Sequence, residues 1–183
     1  QPGRVGILFY PLLAVDNLLA LLGELTSNGT LLRTLTPMFL HFGELHLIFN
    51  MLWLCYFGRQ LEAIHPRWLF AVLIILTSFV SNTTQYLSSN FNNFGGMSGV
   101  VYGLVGYTWL VHILMPRSRL EIRGSMFAVF VVALVLMEIL ASSWIATAAH
   151  IGGLFSGLLL GLGVAGFYRL VLKRDLISRS GTS

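Results

Sequence analysis

In this chain the charged side chains are confined almost wholly to the gaps between long apolar runs, and no other feature limits its possible folds so strongly. Four runs stand out, roughly Leu45 to Phe57, Trp68 to Leu87, Val100 to Met115 and Met126 to Trp144. A fifth, roughly Ala146 to Leu172, is long and rich in glycine. A helix needs ~20 predominantly apolar residues to cross a bilayer. A soluble domain carries about 25% charged residues, whereas this chain has 10%, against 56% hydrophobic. Too little polar material is left to cover a water-facing surface. The composition therefore predicts an all-α, polytopic helical membrane protein.

The 183 residues leave room for about six spans joined by short loops. They are expected to form one transmembrane domain over 1–183, with a basic tail at about 173–183. The candidate for span one, roughly Val5 to Leu22, is interrupted by Pro11, Asp16 and Asn17. An aspartate in hydrocarbon is costly unless it is paired or faces a wet interior, and an interfacial or re-entrant segment would read the same way. The sequence opens on Gln1 rather than Met, which suggests that a preceding segment has been removed.

A formal charge of +4 could point to nucleic acid, but its placement argues for a membrane and against a nucleic-acid partner. Arg4, Arg59, Arg67, Arg117, Arg119, Arg123, Lys173, Arg174 and Arg179 all fall on one side of a six-span arrangement. Only Arg33 falls in an opposite loop. The positive-inside rule then puts both termini in the cytoplasm. Five spans would put the ends on opposite sides and leave the later loops unchanged. Cys55 is the only cysteine, so neither a disulfide framework nor a cysteine metal set is possible.

Three polar features interrupt the runs, each at the outward end of its span. His46 and Asn50 are four residues apart and share one helix face. Gly95-Gly96-Met97-Ser98-Gly99 opens span four, and Ala149-His150 lies near the start of span six. A topology derived from Arg and Lys alone thus places Ser98, His150 and the His46/Asn50 pair at one depth. Serine is a weak nucleophile until a base takes its proton, and histidine is the usual base. A helix N-terminus at Ser98 would favour a developing oxyanion, with His46 and Asn50 able to donate to the same oxygen. Gly96 and Gly99 let the backbone approach closely, and Tyr102 could stack on the His150 ring. Singly these signals are weak: a Gly-x-Ser-Gly string is more often packing than catalysis. A lone intramembrane His could equally serve haem, an ion or a proton. Gly99/Gly103 and Gly153/Gly157/Gly161 have the spacing of close helix packing, which would draw spans four and six together.

From about Leu32 to Gly166 the sequence resembles bacterial rhomboid intramembrane serine proteases of the GlpG type. The resemblance comprises Arg33-Thr34-Leu35-Thr36-Pro37, His41, His46 to Asn50, Gly58 with Glu62, Gly96-Met97-Ser98-Gly99 with Tyr102, and Ala149-His150 with Gly153 and Gly157. It implies a six-helix rhomboid-like bundle in the bacterial inner membrane, with the active site opening to the periplasmic side. It also implies a Ser98–His150 dyad without an acid, and an oxyanion hole lined by His46, Asn50 and the Ser98 N–H. Implied substrates are single-pass membrane proteins with a small-residue, easily unwound helix near the cut. Two departures are visible. The family's usual Trp-Arg pair reads Leu32-Arg33, and Thr147 stands where Asn is common.

Other classes fit less well. A transporter would show an inverted repeat or paired broken helices. A zinc protease needs His-Glu-x-x-His, which Glu44-Leu45-His46 does not supply. An aspartyl intramembrane protease needs two facing Asp residues, and Asp16 and Asp175 lie near opposite ends of the chain. A haem protein could use two of His41, His46, His65, His112 and His150, while an inactive rhomboid-like binding protein normally lacks the dyad. The reading therefore requires no metal and no cofactor. The loop from Trp144 to His150, with span five, is the expected substrate gate.

Overall fold

A computed structural model describes residues 9–11, 18–27, 30–89, 91–141 and 146–173. Among these the chain is helical and contains no strand. A short helix, α1 (Leu18–Ser27), is followed by two one-turn helices at Leu31–Thr34 and Thr36–Phe39. Five longer helices follow: α2 (Glu44–Ile64), α3 (Arg67–Ser89), α4 (Ser98–Leu114), α5 (Gly124–Ala141) and α6 (Thr147–Gly166). A π-helical turn, Phe167–Val171, extends α6. By length and composition, α3 and the extended α6 can each cross a membrane.

The bundle exposes large apolar side chains that a water-soluble protein would bury, and it buries several small polar ones. Leu45, Ile48, Phe49 and Leu52 of α2 and Phe155, Leu159 and Leu162 of α6 face outward, while Thr77, Ser78, Ser81 and Asn82 of α3 are buried. Lipid provides no hydrophobic drive between helices, so interfaces are built from small side chains and interhelical hydrogen bonds. The α4–α6 contact follows that rule. A Cβ on Gly153 would overlap the Gly99 carbonyl, and one on Gly157 would overlap the Gly103 carbonyl. From the other side, a Cβ on Gly99 would strike the Ser81 side chain and one on Gly103 that of Thr77. Three helices thus meet on glycine, serine and threonine, with α4 at the centre.

Gly157→Ala should therefore lower the thermal unfolding midpoint in detergent, because the obstructing atoms are backbone; overpacking of this kind costs about 1–3 kcal/mol. Gly163→Ala is the control, since nothing lies within 4 Å of its added Cβ. Equal midpoints for the two variants would mean that the α4–α6 approach does not depend on glycine.

The expected first span, residues 5–22, falls only partly within the described residues. Residues 1–8 and 12–17 lie outside the described residues, but Phe9–Pro11 is not helical and α1 runs on to Ser27. Pro11 has no N–H to give a helix, and Tyr10 is held elsewhere. Its ring stacks on Tyr86 with centroids 4.7 Å apart, its hydroxyl lies 3.0 Å from Thr83 Oγ1, and its carbonyl accepts from Asn92 Nδ2 at 3.2 Å. Arg33 Nε donates to the Phe9 carbonyl at 3.3 Å. Both ends of the 9–33 segment therefore dock at the end of the bundle where α3 finishes and α4 begins. Among the described residues, Tyr10 docks at one end of the bundle and Arg169 at the other.

Among the described residues, the opposite end carries Arg59, Arg67, Arg117, Arg119 and Arg123. Tyr56 donates to the Glu121 carbonyl at 2.9 Å and Gln60 Oε1 accepts from Glu121 N–H at 2.7 Å, which tie the α4–α5 loop to α2. Arg169 donates to the Leu114 carbonyl, which ties α6 to the same loop. The buried Tyr107 hydroxyl and His65 Nε2 lie 2.6 Å apart between α4 and the end of α2.

Candidate active site

The first turns of α2, α4 and α6 converge, and each brings one of the polar features noted above. Ser98 begins α4, and its Oγ lies 2.7 Å from His150 Nε2, in the first turns of α6. That distance is within ordinary hydrogen-bonding range. Glycine packing between α4 and α6 is what permits it. His150 is 4% exposed. Its ring stacks on Tyr102, one turn beyond Ser98, with centroids 4.8 Å apart and planes 26° from parallel. Among the described residues, His150 Nδ1 has no hydrogen-bond partner. A serine hydroxyl held on an imidazole nitrogen has the geometry that lets the ring take its proton. The Tyr102 stack restricts how that ring can turn.

The glycine turn before Ser98 is tightly clasped. Gly96 has φ +120°, a conformation that favours glycine, and its N–H donates to the Pro37 carbonyl at 3.0 Å. A Cβ there would lie 2.6 Å from His46 Cε1, 2.8 Å from His46 Nε2 and 3.7 Å from Ser98 Oγ. The His46 imidazole thus lies over Gly96, on the side where the serine oxygen sits. The first intrahelical bond of α4 runs from Val101 N–H to the Met97 carbonyl, so the N–H groups of Ser98, Gly99 and Val100 precede the ladder. Asn50 is buried and donates from Nδ2 to the His46 carbonyl at 2.9 Å. One of its two amide hydrogens is therefore spent within its own helix.

Several supports were not read from the sequence as parts of the site. Gln85 Oε1 of α3 accepts from Ala149 N–H at 3.1 Å, sharing that amide beside His150 with the Ala146 carbonyl at 3.0 Å. Asn82 Nδ2 donates to the Thr34 carbonyl at 2.7 Å and anchors the loop that carries Pro37. Tyr102 donates to the Phe130 carbonyl at 3.3 Å, linking the ring that holds His150 to α5. Polar side chains in an otherwise apolar α3 were the available signal for Asn82 and Gln85. Their targets are backbone groups, which no residue pattern reveals. Of the expected gate loop, Trp144 to His150, residues 144–145 lie outside the described residues, and Thr147 to His150 form the first turn of α6.

The protein-family model described as Rhomboid domain matches residues 28–167. The chain is also 40% identical over 130 residues to proteins named Rhomboid protease GlpG from Yersinia pestis (strain Pestoides F) and Yersinia enterocolitica serotype O:8 / biotype 1B. The matched stretch covers 70% of this chain and 46% of each relative, so the chain spans about half the length of those curated proteins. Because the family match takes in every helix that contributes to the Ser98–His150 cluster, the conclusion is direct: this chain belongs to the rhomboid family.

Proposed function

We propose that the chain is an intramembrane serine endopeptidase that cleaves the transmembrane segments of single-pass membrane proteins with a Ser98–His150 dyad. The observation that carries the reading is the 2.7 Å contact between Ser98 Oγ and His150 Nε2. In that role Nε2 accepts the hydroxyl proton as Oγ attacks the scissile carbonyl. The resulting oxyanion is stabilised by the Ser98 N–H at the start of α4, with His46 and Asn50 as side-chain donors. The imidazolium then returns its proton to the leaving amine, and water, deprotonated by His150, hydrolyses the acyl-enzyme. No step calls on a metal or cofactor.

The chain acts as one catalytic domain in this reading. α2 to α6 cross the bacterial inner membrane, with the basic end of the bundle cytoplasmic and the Ser98 end opening outward. The surrounding lipid and the substrate's own membrane helix are its partners. The reading is tested by labelling with a fluorophosphonate probe in detergent, comparing the intact protein with Ser98→Ala. Labelling that disappears with Ser98 supports it. Equal labelling of both, together with no cleavage of any transmembrane substrate, would favour a rhomboid-like binding protein instead.

A further inference from the structure

Among the described residues, a further polar side chain besides His46 and the proposed dyad reaches the backbone turn that presents the serine. His41 lies in the loop leading into α2, edge-on to His46 with ring centroids 5.1 Å apart. Its Nδ1 is 3.3 Å from the Phe39 carbonyl oxygen and its Nε2 is 3.4 Å from the Met97 backbone nitrogen. A carbonyl can only accept and a backbone N–H can only donate. One tautomer satisfies both contacts, the neutral imidazole with its proton on Nδ1. Met97 is 7% exposed, so its N–H is poorly placed to turn to water. Met97 also precedes Ser98 directly, and its carbonyl accepts the first hydrogen bond of α4 at 2.9 Å. The turn is thus pinned at two successive amides, Gly96 N–H by Pro37 and Met97 N–H by His41.

We propose that His41 is a positioning residue for the reaction, its Nε2 accepting from Met97 N–H and so fixing the turn that aims Ser98 Oγ and the Ser98 N–H. The proposal rests on the protease reading above. It distinguishes two jobs within one side chain. Nδ1 makes a local bond to its own loop, whereas Nε2 makes the bond that bears on the serine.

Substitutions separate them. In His41→Gln the amide oxygen reaches where Nε2 stood and can accept from Met97. In His41→Asn the shorter side chain keeps the local bond to Phe39 and loses the other. The expected result, on a single-pass model substrate, is a kcat lowered by about two- to tenfold in His41→Asn and His41→Leu at unchanged KM, the loss associated with one hydrogen bond. His41→Gln restores most of that loss. In parallel, protein labelled with 15N-methionine reports the Met97 amide directly: its hydrogen exchange accelerates in Asn and Leu but not in Gln. Indistinguishable exchange in all three variants, or equal kcat losses in Gln and Asn, overturns the proposal. If the unsubstituted protein shows no Ser98-dependent cleavage, the protease reading has failed. The Met97 exchange still decides whether His41 holds the turn.

Discussion

His150→Ala is expected to reduce cleavage of a single-pass membrane substrate by about 10⁴- to 10⁶-fold, and Ser98→Ala by a similar factor, while both proteins remain folded in detergent. The size follows from how the two groups depend on each other. With the Ser98 hydroxyl 2.7 Å from the imidazole, neither is useful alone: the hydroxyl without a base stays protonated, and the base without the hydroxyl has no nucleophile to activate. Losses in such units are strongly non-additive. The double variant Ser98→Ala/His150→Ala should therefore be about as slow as either single one, not slower by their product. Initial rates on a reconstituted substrate, with thermal unfolding in parallel, provide the check. Substantial turnover by either folded single variant would remove that residue from the mechanism.

The features on which this expectation rests differ in how far residue types alone reveal them. Ser98, His46 and His150 share one end of the bundle because α2, α4 and α6 run in the same direction, and the basic loops imply that alternation. The α4–α6 approach was legible too, since Gly99, Gly103, Gly153 and Gly157 recur at four-residue spacing. The structure finds the space beside Gly153 and Gly157 taken by the α4 backbone, and that beside Gly99 and Gly103 by Ser81 and Thr77 of α3. Other parts were hidden for a common reason. Pro37, Thr34 and Phe130 act through carbonyls, which every residue possesses. Residues 5–22 are apolar enough to suggest a crossing, and more than half of them lie outside the described residues. The docking of Tyr10 against Tyr86 and Phe94 is a contact distant in sequence, which hydropathy does not reveal. Hydropathy measures what a segment can tolerate, whereas docking decides where it goes.

Asn50→Ala is expected to lower the catalytic rate by about 10²- to 10³-fold, the usual consequence of losing one oxyanion donor, while apparent substrate affinity changes little. The competing explanation is structural, and it has an observation behind it: the Asn50 amide already donates to the His46 carbonyl at 2.9 Å. That bond uses one of two amide hydrogens and leaves the other for an oxygen that exists only during reaction. It also fixes the amide plane, since a side chain tied to its own preceding turn cannot rotate freely. Held in that plane, Asn50 belongs to the helix that carries His46 over Gly96. The two explanations separate by magnitude. Hydrogen bonds within membrane proteins average about 0.6 kcal/mol, a factor of roughly three in an equilibrium. A rate loss of two or three orders in folded protein is thus too large for lost packing alone. Because the Ser98 N–H and His46 would remain, the loss should be severe but incomplete. The double change His46→Ala/Asn50→Ala should depart from the sum of the single effects, since both groups serve one oxygen. A double-mutant cycle on initial rates, with melting temperatures recorded for each variant, measures both quantities. A normal rate in folded Asn50→Ala would reduce its role to the bond with His46 and leave the Ser98–His150 pair untouched.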